Sequence, residues 1–373
     1  MLLFLTLFSC TSETTQSNKP EPSFIEVQLN GETGSMDSPL PFSSAPVSFS
    51  LSISTLDRNA SPYPMNGNLK LNIRPGKLSA GIDPWIKVTD GTWSGEITFQ
   101  SAFGPSRIWV TDEGDKDVTS ERQATFATGI SEAIYYNIPT IAEFNNIEDT
   151  ETNHLEGEFT EVRVEDRDVV VTVVSTNGFW ISDLDDAPGN YSGMYIYTFG
   201  KPEDVYPGAR LTKLTGGNQE YLGATQLSFP DYEIEQGRTL DIPDPAVLDD
   251  TSLCEPSTME SFESSMIAIK NATIPSSFSI GSSDYDGYIE YGQWPLNVGG
   301  CTIYVDSTAL SYAFDPVENA GETIAEIQGL VSQIWTKWVI ILRNDDGLSI
   351  DGNRYPRRPN ATLPRRPLPR SRN

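Results

Sequence analysis

A strict two-residue period of apolar side chains is the feature that most limits how this chain folds. Val47, Phe49, Leu51 and Ile53 alternate with Ser48, Ser50 and Ser52, and Leu69, Leu71 and Ile73 alternate with Lys70, Asn72 and Arg74. Successive side chains of a β-strand point to opposite faces, so this period describes strands with one face buried and the other wet. Asn66-Gly67, Pro75-Gly76 and Asp90-Gly91 fall between such runs and supply turns. The expectation is an all-β protein in which residues 24–138 form a β-sandwich of about seven strands. Its last strands are placed near Arg107-Ile-Trp-Val-Thr-Asp112 and Ala133-Ile-Tyr-Tyr136.

Pro139 opens a second unit. Asp168-Val-Val-Val-Thr-Val-Val174 is a β-branched run, followed by Gly178-Phe-Trp-Ile-Ser-Asp183, Tyr191-Ser-Gly-Met-Tyr-Ile-Tyr197, Tyr206-Pro-Gly-Ala-Arg-Leu211 and Tyr221-Leu-Gly-Ala-Thr-Gln-Leu227. The segments 178–183, 192–197, 206–208 and 223–227 resemble, in order, the OB-fold module of secreted bacterial endonucleases and many surface proteins. The likeness covers residues 139–242. It departs at Leu211-Thr-Lys-Leu-Thr-Gly216-Gly217, which predicts a frayed or bulged strand. Residues 255–352 resemble a companion unit. There the opening strand is 261–273, a Tyr-Gly-Gln-Trp step stands at 291–294, and the closing strand is 339–343, with Leu342 where the family has Pro. Residues 243–254, with Pro243-Asp-Pro-Ala-Val-Leu-Asp-Asp250, read as an acidic linker. The first unit resembles the immunoglobulin-like modules of bacterial surface lipoproteins, although it lacks their Cys…Trp…Cys spacing. The predicted fold is therefore an immunoglobulin-like β-sandwich followed by two OB-fold-like small β-barrels.

The first ten residues, MLLFLTLFSC, are an apolar run ending in Leu7-Phe8-Ser9-Cys10, the form of a lipoprotein signal peptide with Cys10 as the lipidated thiol. The run is far short of the ~20 apolar residues that span a bilayer. An ordinary secretory signal is the other reading. Residues 11–23 are polar and Pro-containing, a tether between a membrane anchor and the first unit. Export frees Cys254 and Cys301 to form a disulfide worth about 3–4 kcal/mol, the alternative being two reduced thiols. Residues 353–373 form an Arg/Pro-rich tail with seven arginines and no acid. It reads either as an arm for anionic polymers or lipid head groups, or as an unstructured end.

Charge and composition narrow the chemistry. The chain of 373 residues carries a net charge of −27, and the tail hides a body of 18 basic and 52 acidic side chains. Such a body repels phosphate backbones, so nucleic acid is expected only through the tail. A single histidine, His154, lies in a polar stretch and has no Gly-x-Ser-x-Gly nucleophile beside it. No catalytic residues are nominated, no cofactor is required, and the family's catalytic partner domain has no room here. Calcium is the metal that its acidic loops suit. Asp112-Glu-Gly-Asp-Lys-Asp117 is the leading loop, with Asp112, Asp115 and Asp117 as ligands, ahead of Asp183-Leu-Asp-Asp186 and Asn344-Asp-Asp-Gly347. Solvated loops account for the same clusters. Trp180, Tyr195 and Tyr197 are candidate ligand-stacking rings, because OB folds bind oligonucleotides or oligosaccharides on strands 2 and 3. Packing of the tyrosines against a neighbouring unit explains the same alternation. The expected function is a non-catalytic, lipid-anchored binding or scaffold protein of the bacterial outer membrane or cell surface, recognising glycan or peptide. The alternative is the nucleic-acid-binding accessory of a secreted nuclease system.

Overall fold

The computed structural model describes residues 20–43, 46–99, 104–114, 125–146, 159–307, 314–342, 348–350 and 353–354. The alternating segments build the first unit from β1 (Pro22–Asn30), β2 (Val47–Asp57), β3 (Gly67–Arg74), β4 (Trp85–Val88), β5 (Thr92–Phe99), β6 (Pro105–Thr111), β7 (Gly129–Ile130) and β8 (Ile134–Tyr135). One sheet runs β1-β2-β5 and the other β4-β3-β6-β7, with β8 also on β6. This is an immunoglobulin-like sandwich. Phe49, Leu51 and Ile53 from β2 meet Leu69, Leu71 and Ile73 from β3 and Ile108 and Val110 from β6 in one core. Phe49 and Phe99 stack within it, their ring centres 5.5 Å apart.

The second unit opens with α1 (Ile141–Asn145), a helix fixed by a capping box in which Thr140 Oγ1 accepts the Glu143 N–H and Glu143 accepts the Thr140 N–H. Then come β9 (Phe159–Glu161), β10 (Val169–Val174), β11 (Gly178–Asp183), β12 (Gly193–Tyr197), β13 (Ala209–Tyr221) and β14 (Ala224–Thr239). The order β10-β11-β12-β14-β13 closes through Val170 against Arg210, with β12 and β14 parallel. β13 carries three register shifts between residues 209 and 217, so the departure in the sequence is a bulged strand. The bulges bend a strand of thirteen residues around a core of Val169, Val171, Phe179, Ile181, Met194, Ile196 and Leu227.

The third unit repeats the plan. Its elements are β15 (Ala246–Leu248), α2 (Asp250–Cys254), α3 (Pro256–Ser261), β16 (Met266–Thr273), α4 (Ser283–Tyr291), β17 (Gln293–Val298), β18 (Cys301–Asp306), β19 (Thr323–Ile334), β20 (Lys337–Leu342), β21 (Leu348–Ile350) and β22 (Asn353–Arg354). The order β16-β17-β18-β20-β19 closes back on β16, and β18 lies parallel to β20. Residues 243–254, read from the sequence as a linker, belong to this barrel. β15 pairs in parallel with β16, Leu253 is buried in the barrel core, and Leu248 and Cys254 pack against it. The aspartates that give the stretch its linker look are exposed and its prolines half-buried, while its two leucines point inward.

Cys254, the last residue of α2, is joined by a disulfide to Cys301 at the start of β18. Closing a loop of this length restricts the unfolded chain. Replacing both cysteines by alanine is expected to reduce unfolding free energy by about 2–4 kcal/mol, read as a lower urea midpoint. An unchanged midpoint would mean that Leu248 and Leu253 hold the segment unaided.

Candidate ligand-binding face

On β12 the aliphatic Met194 and Ile196 fill the barrel, and the alternation turns Tyr195 and Tyr197 outward. Antiparallel pairing sets Trp180 opposite Tyr195 and Gly178 opposite Tyr197. Parallel pairing sets Gln226 beside Tyr195 and Ser228 beside Tyr197, and β13 adds Gln219 opposite Gln226. The outer surface of these four strands therefore carries two rows, one of rings and one of amides and hydroxyls.

Five rings follow one another along it. Trp180 and Tyr195 are 4.4 Å apart between ring centres, Tyr195 and Tyr197 6.4 Å, Tyr197 and Phe199 4.5 Å, and Phe199 and Phe229 4.6 Å. These separations lie in the range of favourable aromatic contact. Beside them Ser228 Oγ and Gln226 Nε2 both donate to Gln219 Oε1, at 2.8 and 3.1 Å, and the Tyr195 hydroxyl donates to Asn177 Oδ1 at 3.1 Å.

The two ends of this ladder differ in kind. Trp180 is only 8 % exposed, because with Val173 it packs on Met266 and Leu330 of the third unit, and Tyr195, Ile242 and Ile341 border the same cluster. Phe199 and Phe229 are 54 % and 69 % exposed. Both have left-handed backbone, with φ of +61° and +52°. A bulky residue held there costs on the order of 1–3 kcal/mol, which the surrounding structure must impose. Burial, then the charges of Asp204 and Glu203, push the Tyr232 phenol above its usual value, and Asp231 is held by Lys213 at 2.9 Å.

The sequence-nominated residues thus divide. Trp180 is a buried joint, while Tyr195 and Tyr197 are half-buried members of the ladder. Phe199 continues the Tyr195-x-Tyr197 alternation and was legible from it. Phe229 comes from another strand and reaches the row only through parallel register. Asp112 is buried, and its carboxylate accepts the N–H groups of Gly114, Thr125 and Phe126 at 3.1, 2.9 and 3.3 Å, which ties the residues after β6 together. Its nominated companions Asp115 and Asp117 lie outside the described residues, as do Cys10 and His154.

The 183–186 cluster is consumed by internal pairing. Arg167 bonds Asp183 and Asp186, and Asp185 accepts the Asp168 N–H. Burial raises the Asp183 carboxyl and the Arg167 guanidinium opposes it. Among the described residues no group of three or more His, Cys, Asp or Glu is placed to hold a metal ion. The arrangement can stack rings and exchange hydrogen bonds with a ligand. The chain matches no known protein-family model and no curated protein.

Gly178 is where this face tolerates least change. A Cβ there would stand 2.3 Å from the Ile196 carbonyl oxygen and 2.7 Å from the Tyr195 hydroxyl, whereas one at Gly200 meets nothing within 4 Å. Gly178→Ala is expected to destabilise by about 1–3 kcal/mol in urea unfolding and to weaken the near-ultraviolet dichroism of the coupled rings. Gly200→Ala is expected to stay within about 0.5 kcal/mol of the parent.

Proposed function

We propose that the chain is a non-catalytic binding protein, exported and held to a bacterial envelope by lipid on Cys10, with its ligand on the open end of the aromatic ladder. One observation carries the reading. Two phenylalanines, each more than half exposed, are held on left-handed backbone and joined ring to ring with Tyr197. Aromatic area left in water at the price of backbone strain is best explained by a partner that covers it.

The partner's chemistry follows from the surroundings. A body this acidic opposes phosphate groups. A neutral glycan fits best, its C–H faces stacking on Tyr197, Phe199 and Phe229. Hydroxyls at its edge would meet Gln219, the exposed member of a cluster in which Gln226 and Ser228 are buried.

A glycan array probed with the full chain is expected to retain neutral oligosaccharides. The Phe199→Ala/Phe229→Ala variant is expected to bind at least about tenfold more weakly, roughly 1.4 kcal/mol, at an unchanged unfolding midpoint. Glycan binding indifferent to that double substitution, or steeply salt-dependent binding of single-stranded DNA in its place, would overturn the assignment. Anchoring is tested separately. Radiolabelled palmitate should enter the wild type and not Cys10→Ser, and an unlabelled wild type removes the envelope address.

A further inference from the structure

The second barrel carries an exposed ring that the aromatic ladder does not include. Phe159 is 57 % exposed and opens β9, a sixth strand added along β13 outside the closed barrel. Register places it. Tyr197 pairs with Ser228, Ser228 with Gly217, and Gly217 with Phe159, so one row crosses β12, β14, β13 and β9. Residues paired directly across strands share a face of the sheet. Their neighbours along the strands show which face it is. Leu227 lies in the core, a Cβ on Gly216 would stand 2.6 Å from the Leu227 side chain, and Thr160, paired with Gly216, is fully buried. Tyr197, Ser228, Gly217 and Phe159 therefore all lie on the side away from the core.

Between the two outer rings the row has almost no side chain. Ser228 is small, and a Cβ at Gly217 would meet only the Ser228 carbonyl oxygen within 4 Å, at 3.6 Å, so bulk is absent there without being excluded. The result is a trough, with Tyr197 and the Phe199 and Phe229 rings joined to it at one end and Phe159 at the other. Three strand spacings, about 14 Å, separate the ends. Both long edges are polar. On one edge Gln219 is exposed, and the Ser228 hydroxyl and the Gln226 amide donate to its Oε1 at 2.8 and 3.1 Å, which leaves its own N–H groups for a ligand. On the other edge the next outward row is Asp231, Thr215 and Glu161, with both carboxylates exposed and Asp231 held by Lys213.

We infer that this trough is a further glycan subsite with Phe159 as its second stacking wall, which rests on the glycan reading of the ladder and makes the ligand a chain of at least three sugar units lying across the strands. A hexose advances a chain by roughly one strand spacing, ~5 Å, so a disaccharide seated on Tyr197 ends short of Phe159 and a third unit reaches it. The middle unit crosses Gly217, where a larger side chain would lift it off the sheet. Its hydroxyls can accept from the Gln219 amide on one edge and donate to Glu161 on the other. An extended peptide is the competing occupant. Peptides of that kind gain affinity by pairing with an open strand edge, and β14 and β13, which form the floor, are each paired on both sides. A ligand that uses rings and side-chain hydrogen bonds alone fits this floor better.

Neutral gluco-, xylo-, manno- and galacto-oligosaccharides of one to six units, arrayed beside a peptide library, test this on the full chain. In the series that binds, affinity is expected to rise about tenfold between two units and four and then to level off. Phe159→Ala is expected to remove that rise, with the affinity of the two-unit sugar and the urea midpoint unchanged. Gly217→Val should have the same effect by filling the floor, whereas Phe199→Ala/Phe229→Ala should weaken binding at every length. Affinity independent of chain length, or a rise that Phe159→Ala leaves whole, overturns the trough while the ladder reading stands. Retention of peptides alone, or of no oligosaccharide of any length, overturns both.

Discussion

In the strand order of the second barrel, β10-β11-β12-β14-β13, the last strand must return beside the third, and that return is the parallel pairing of β12 with β14. The pairing fixes more than closure. With Tyr195 beside Gln226 and Tyr197 beside Ser228, every outward residue of β12 acquires a defined neighbour on β14, so rings and amides lie in separate rows. It also delivers Phe229, one residue past Ser228, to the end of the tyrosine row. A shift of one residue would send Leu227 outward and Gln226 and Ser228 into a core built of Val, Ile, Met and Phe. The apolar interior and the aromatic face are therefore set by one register.

The same outer surface is what joins the barrels. In the third unit Met266 pairs with Leu330, and Leu330 with Ile341, giving an apolar row on the outside of its barrel. Val173 and Trp180 supply the matching patch on the second. Burial of these side chains at about 25 cal/mol per Å² drives the contact. The glycines set how closely it can approach, since Gly189 faces the ring of Phe262 and Gly193 the backbone of Ser264 where no side chain would fit. Between these apolar and backbone contacts lies the buried carboxyl of Glu263, which accepts the Thr225 N–H from the second barrel and the Gln333 N–H from the third.

Much of this was legible in the sequence, for physical reasons. Period-two alternation reads as strands wherever one face is wet, so Val47–Ile53 and Leu69–Ile73 announce β2 and β3, and the β-branched run 169–174 announces a strand that opens a barrel. What failed was information carried by register rather than by composition. Residues 243–254 look like a linker because acids crowd its exposed sites and prolines interrupt it, while the parallel pairing that makes β15 part of a barrel leaves no local mark. Thr140-x-x-Glu143 is a capping box readable by eye, yet a helix of five residues lies below the length at which apolar periodicity identifies one. Glu263 gives no sign at all, since one glutamate among 52 acids is singled out only by the burial that tertiary packing gives it.

The ladder and the joint share Trp180 and Tyr195, and that overlap constrains how the proposed ligand face behaves. Trp180 is clamped between Val173 and the third barrel, Tyr195 stacks on it, and the tyrosine hydroxyl is fixed by Asn177. Rings anchored at one end lose little further freedom when a ligand covers the other, so ordering opposes binding less than it would on a free loop. The acidic body adds a second filter. It repels polyanions from the body of the chain, and on the proposed reading this favours flat, uncharged partners for Phe199 and Phe229. Selectivity of this kind arises from what the surroundings exclude as much as from what the rings attract.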